Sequence, residues 1–408
     1  MLSPNPPASQ RLDALDILRG FALFGILVVN LPFFAQPIYR IFTGTHIVTW
    51  YDQAAAALVA LLFEAKFYVL FAWLFGYGLA TQLARASSDQ VAPGPRFARR
   101  LVGLLLFGVL HATLLFVGDI LVSYVILGAL FWLLREWTDR GLLRFAAVML
   151  GVAVLGRLVL AFAQGTSDPA ATVQLDALAA EAQRNYLGTF AMAAEQRVND
   201  LVVFYLFTPF FNWPTILAMF ALGLVAGRHG LLRDSVRFWG LARRALPWAA
   251  LVGLGGNLLY VVLFYGGFAN AADPLVSALA LSAEAIGAPA LTFCYVCGIL
   301  WLAQQPTWGR LLAPLRFTGR MSLTNYLAQA IICSFLFNGW GLGLYGQPGP
   351  LACLLLAPLI YSLQLGLSAL WLRYFRVGPD EWLLRSWTYL RWQPWRVRPQ
   401  LAAGQSGD

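Results

Sequence analysis

Apolar runs of about twenty residues recur along this chain, separated by short stretches bearing arginine, glycine or proline, and that spacing predicts membrane-crossing helices. Ten windows fit: 14–34, 54–83, 98–117, 119–135, 141–163, 199–227, 245–267, 274–303, 319–339 and 350–375. The expected fold is all-α and polytopic. A single membrane domain spans 1–408, with a transmembrane bundle over 14–375, an extracytoplasmic connection at 164–198 and a basic aromatic tail at 376–408. Composition agrees: 60% hydrophobic residues, 12% charged residues and a mean hydropathy of +0.67 lie outside soluble globular usage. The start, MLSPNPPASQRLDALD, has no basic segment followed by a small-residue cleavage site, so the first apolar run is expected to be a retained span.

The polar connections alternate in charge. Arg85, Arg96, Arg99 and Arg100 fall in one, Arg135, Arg140 and Arg144 in another. Arg228, Arg233, Arg237, Arg243 and Arg244 fill a third, and Arg310, Arg316 and Arg320 a fourth. These predict one cytoplasmic side holding both termini. The connection at 164–198 carries Asp168, Asp176, Glu181 and Glu195 against Arg184 and Arg197, and reads as a solvated helical loop outside. The tail WLRYFRVGPDEWLLRSWTYLRWQPWRVRP mixes tryptophan with arginine, as at an anionic lipid interface. The formal charge of +9 therefore points to the bilayer as partner, and no nucleic acid is expected.

Several motifs carry no chemistry in context. GLGLYG (341–346) follows a span and runs into Gln347 and Pro348 instead of opening a helix, so it reads as an external turn. Cys294, Cys297, Cys333 and Cys353 all lie in apolar runs and read as buried thiols. No metal is expected, because no histidine has a second ligand at metal spacing. His229 reads as the end of a helix.

Polar residues inside the spans are the informative exceptions, since a charge near a bilayer centre costs at least about 2.5 to 3.5 kcal/mol. Asp16 and Arg19 share a face of the first helix; Asn30 returns to that face eleven residues later, about 16 Å along the axis. Glu64 and Lys66, the chain's single lysine, point about 200° apart on a continuous second helix, so each needs a partner from elsewhere. Asn30, Glu64, Lys66, His111 and Glu284 fall at similar depth and predict one intramembrane polar cluster, with Lys66 opposite Glu284. His111 suits proton transfer near neutral pH. Asp119, eight residues on and past Gly118, is expected to cap the next helix, out of reach of His111 along one helix. Ser322, Asn325, Tyr326 and Gln329 form a polar stripe on the ninth helix, suggesting a way in for a hydrophilic group from the cytoplasm.

These stretches also carry a resemblance. LDILRGFALFGILVVN, FEAKFYVLFAWLFGYGLA, HATLLFVGDILVSYVILG and FTGRMSLTNYLAQ resemble the YeiB-like bacterial inner-membrane proteins, whose C-terminal part is domain of unknown function 418. More distantly the chain is similar to transmembrane acyltransferases of the acyltransferase-3 and heparan-alpha-glucosaminide N-acetyltransferase types. That resemblance implies transfer of an acyl group from cytoplasmic acyl-CoA, as co-substrate, to an extracytoplasmic glycan, amino sugar or lipid headgroup. Arg19 matches the first-helix arginine of that pattern, while Asn30 stands where its histidine is. The implied catalytic group is His111 with Glu64 and Asp119. Donor binding falls to Arg19, Arg99, Arg100, Ser322, Asn325 and Tyr326, and the polar cluster comprises Asp16, Asn30, Lys66, Glu284 and Gln329. No bound cofactor is expected. A transporter or flippase of a small amphiphile is the alternative expectation.

Overall fold

The structure is a computed structural model and describes residues 8–43, 47, 49–88, 92–164, 169–266 and 273–397. Among these, helices account for nearly all regular structure. Helix α1 (Ala8–Ala35) and the short α2 (Ile38–Thr43) lead to α3 (Trp50–Leu62) and α4 (Lys66–Ser88). Next come α5 (Pro93–Leu114), α6 (Leu121–Trp132) and α7 (Asp139–Gln164). Helices α8 (Pro169–Tyr186) and α9 (Phe190–Phe211) precede α10 (Trp213–Arg228), α11 (Ser235–Tyr265) and α12 (Pro274–Ala303). The short α13 (Pro306–Leu312) and α14 (Leu315–Arg320) connect to α15 (Ser322–Phe337), α16 (Pro350–Tyr374) and α17 (Pro379–Tyr389).

Every apolar window falls on helix, but the helices are unequal. Among the described residues seven stretches are long and apolar enough to cross a membrane, and α9 with α10 makes an eighth if their 54° bend is one broken span. The windows 119–135 and 319–339 hold helices of only 12 and 16 residues. At 1.5 Å per residue these reach about 18 and 24 Å, short of a hydrocarbon core of about 30 Å. Hydropathy continues through the turns that end them, so the windows read longer than the helices. The outward faces of α7 and α11, with Leu155, Val159, Leu254 and Leu258 exposed, present the apolar surface that lipid would cover.

Two breaks shape the interior. The second window is not one helix: α3 ends at Leu62, Phe63 to Ala65 turn, and α4 starts at Lys66, with Ala65 at φ +63°. The expected geometry of Glu64 and Lys66 on a continuous helix is therefore corrected. The second break lies at Asn212, where Pro214 lacks an N–H and suits the first turn of α10. Helices α4 and α10 then run parallel and in register, with Gly76 against Phe220, Gly223 against Tyr77 and Gly227 against Ala80. The missing Cβ atoms permit that close backbone approach. Extrapolated back along the same register, the N-terminus of α4 at Lys66 stands beside that of α10 at Trp213.

The connection read as a solvated helical loop is helical, with Asp176, Glu181, Arg184 and Glu195 exposed, but one face of it is packed. Ala179, Ala182 and Tyr186 of α8 are buried in the core, and α9 already begins at Phe190. Arg197 is buried, donating to the Leu114 carbonyl at 2.8 Å. Asp168 and the tail from 398 onward lie outside the described residues. The earlier tail is docked through α17: Trp387 Nε1 donates to the Arg99 carbonyl at 2.7 Å and Arg99 Nε to the Thr388 carbonyl at 2.9 Å. Glu381 accepts from the Leu323 N–H at 2.6 Å and the Thr324 hydroxyl at 2.7 Å. Burial pushes this carboxyl up, and those bonds oppose the shift. GLGLYG is a turn with Gly343 and Gly346 at positive φ. His229 ends α10, bonded to Asp139 at 2.7 Å, and the four cysteines are free.

Candidate functional site

His111 lies in the last turn of α5, which stops at Leu114. The chain then doubles back through 115–120, and its carbonyls are held from outside: Arg197 donates to Leu114 and Ser334 to Leu115, each at 2.8 Å. This reversal brings Asp119 Oδ1 to 2.8 Å from His111 Nδ1, both side chains being buried. Spacing along one helix would keep the two apart, but the helix ends between them and Asp119 faces His111 as well as capping the next helix. In that cap its Oδ2 accepts from the Val122 N–H at 2.8 Å.

An ionised Asp119 fixes the proton on Nδ1 and leaves Nε2 as the basic nitrogen. That Nε2 is buried with no protein hydrogen-bond partner. The Tyr326 ring lies 4.7 Å from the imidazole, and its hydroxyl accepts from the Ile120 N–H at 3.3 Å. A narrow gap at His111, without room for a water molecule, is lined by Asn30, Phe116, Tyr326 and Gln329. A cavity of about 70 Å³ shares Asn30 and Tyr326 with it and continues to Phe63, Ala65 and Tyr68 at the α3–α4 break.

Glu64 does not join His111; its carboxylate accepts from the Tyr260 hydroxyl at 3.3 Å, on α11. Lys66 does not hydrogen-bond Glu284 either. Its Nζ donates to the Ala60 carbonyl at 2.6 Å, satisfying the broken C-terminal end of α3, where the helix dipole favours a cation. Glu284 instead pairs with Arg157 at 3.2 Å, a buried arginine of α7. Its place in the middle of GVAVLGRLVLAF is the signal in the sequence that marks it. Tyr205, placed near Asp119 and Ser123, is the other residue not anticipated.

The residues expected to bind a donor divide. Arg19 pairs with Asp16 at 3.0 Å, and Arg100 lies within electrostatic range of Arg19 and of Arg385 on α17. Arg99 is engaged with α17. Asn325 and Gln329 are buried: Asn325 donates to Ser368 at 2.9 Å and Gln329 to Gln364 at 3.0 Å, so the polar stripe ties α15 to α16 in place of an open channel. Ser322 opens α15, and Tyr326 packs its ring against His111. Among the described residues no group of three metal-ligating side chains gathers.

Residues 226–391 match the family model described as "Protein of unknown function (DUF418)". The chain is 34% identical over 405 residues to the "Uncharacterized protein YxaH" of Bacillus subtilis (strain 168), covering 95% of this chain and 96% of that one. It is 30% identical over 388 residues to the "Uncharacterized protein YeiB" of Escherichia coli (strain K12), covering 93% and 96%. No solved structure matches. With similarity running through the spans, the His111 turn and the docked tail alike, the chain belongs to the YeiB-like DUF418 family of helical membrane proteins.

Proposed function

We propose that this protein moves an acyl group from cytoplasmic acyl-CoA to a hydroxyl or amine of a glycan, amino sugar or lipid headgroup at the outer face of a bacterial inner membrane. The observation that carries the reading is the buried His111–Asp119 pair, whose Nε2 has no protein hydrogen-bond partner. Nε2 takes the proton of the acceptor as its oxygen or nitrogen attacks the thioester carbonyl; the C–S bond breaks, and the imidazolium returns that proton to the leaving CoA thiolate. Asp119 holds the tautomer and stabilises the imidazolium. Asn30 lines the same gap as His111, which fits an imidazole supplied from α5 in place of the first-helix histidine. Arg19 and Arg100, drawn together near Arg385, suit the phosphates of the donor.

The helix break at Phe63–Ala65 favours a second reading, transport of a small amphiphile, because discontinuous helices build substrate sites in transporters. Full-length protein in nanodiscs separates the two. Acyl transfer predicts release of CoA thiol from a short acyl-CoA that depends on added amino-sugar or glycan acceptor. Intact thioester with every acceptor, together with uptake of labelled amphiphile in proteoliposomes, supports transport and overturns the enzyme.

A further inference from the structure

Arg157 has a side chain 2% exposed and lies over the Phe211 ring at 5.8 Å; its Nη2 pairs with Glu284 at 3.2 Å, while Nε and Nη1 make no well-aligned hydrogen bond. Beside it stands the Tyr68 hydroxyl, with the Thr215 hydroxyl next to Tyr68. The Tyr68 hydroxyl lies within reach of both Arg157 and the Thr215 hydroxyl, but neither buried hydroxyl makes a well-aligned hydrogen bond. Thr215 lies in the first turn of α10 and Tyr68 in that of α4, the two parallel helices whose N-termini stand side by side. A helix N-terminus presents free N–H groups and the positive end of its dipole. Glu284, Glu64 and Lys66 complete the charged surroundings, with two cations against two carboxylates. Leaving this many buried donors unmet is costly, so the arrangement fits a guest that accepts hydrogen bonds.

We infer that Arg157, Tyr68 and Thr215, at the paired N-termini of α4 and α10, form an intramembrane subsite for the oxyanion of an amphiphile, a carboxylate or phosphate on an apolar chain. Tyr68 also lines the cavity that reaches Asn30 and Tyr326. The guanidinium supplies charge and the two hydroxyls supply directed donors, as oxyanion recognition requires. This inference holds whether the protein transfers acyl groups or transports its ligand.

The test uses the full chain in nanodiscs of zwitterionic lipid, without acyl-CoA, so its outcome is independent of turnover. Dodecanoate and dodecyl phosphate are the probes, dodecanol and dodecyltrimethylammonium the controls, and acetate and inorganic phosphate test whether the chain is needed. Saturable binding and a raised unfolding temperature are expected with either anionic amphiphile, and whichever binds tighter identifies the group; neither control nor free anion should match it. Tyr68→Phe and Thr215→Val should each weaken binding about tenfold, with ligand-free unfolding temperature unchanged or raised. Equal binding of dodecanol, no binding of either anion, anion binding undiminished in both variants, or a clear loss of ligand-free stability in them overturns the subsite.

Discussion

Arg157 and Arg197 are each 2% exposed, yet the protein is built differently around them. Arg197 donates to the Leu114 carbonyl, stacks on the Tyr186 ring at 5.3 Å, and reaches the Asn338 side-chain oxygen in the amide orientation that satisfies both groups. Nearby Asp200 accepts from Tyr186 and Gln196, each at 2.8 Å, and from Tyr39 at 3.3 Å. That network ties α2, α8 and α9 to the end of α5 and completes itself. Around Arg157 two donors and two neighbouring hydroxyls stay unmet. A buried charge alone is thus a poor guide to function; the completeness of its hydrogen bonding separates a clamp from a binding site.

The largest effect should come from the complete network. Asp200→Ala strands three donors beside a buried arginine and should cost about 5 kcal/mol or more, read as loss of folded protein or a large fall in unfolding temperature in detergent. A mild effect would break the contrast. Arg157→Met should cost about 3 kcal/mol by leaving Glu284 uncompensated, and the double change with Glu284→Met should recover most of it, since both charges leave together. The two cations near Glu284 sharpen the same point. In double-mutant cycles by thermal unfolding, Arg157 and Glu284 should couple by about 1 to 3 kcal/mol and Lys66 with Glu284 by less than about 1, because Lys66 bonds a backbone carbonyl. Smallest of all, Tyr68→Phe and Thr215→Val should shift stability by no more than about 0.5 kcal/mol, or raise it.

The helical class and the positions of the spans were legible because about twenty apolar residues in a row have few other uses. The breaks at Glu64 and Asn212 were not, since Phe63, Ala65 and Phe211 are as apolar as the helices they separate. That is why Lys66 was given a carboxylate across the bundle when its partner is the carbonyl six residues back. Arg19, His111 and Asp119 stood out as polar residues in apolar surroundings, but the contact between the last two depends on a reversal that helical spacing cannot describe. Arg157 and Arg197 look equivalent in sequence. What distinguishes them is hydrogen bonding: Leu114 and Asn338 accept from Arg197, whereas Glu284 accepts from Arg157, each guanidinium also lying over a ring, Tyr186 and Phe211 respectively.

The most direct measurement compares wild type with His111→Gln, which keeps a side chain able to donate to Asp119 but has no base at neutral pH. With acyl-CoA and acceptor in nanodiscs, CoA thiol release should fall by at least about a hundredfold while the unfolding temperature stays within a few degrees. Turnover at the wild-type rate in that folded variant would contradict the assignment of His111 as the base.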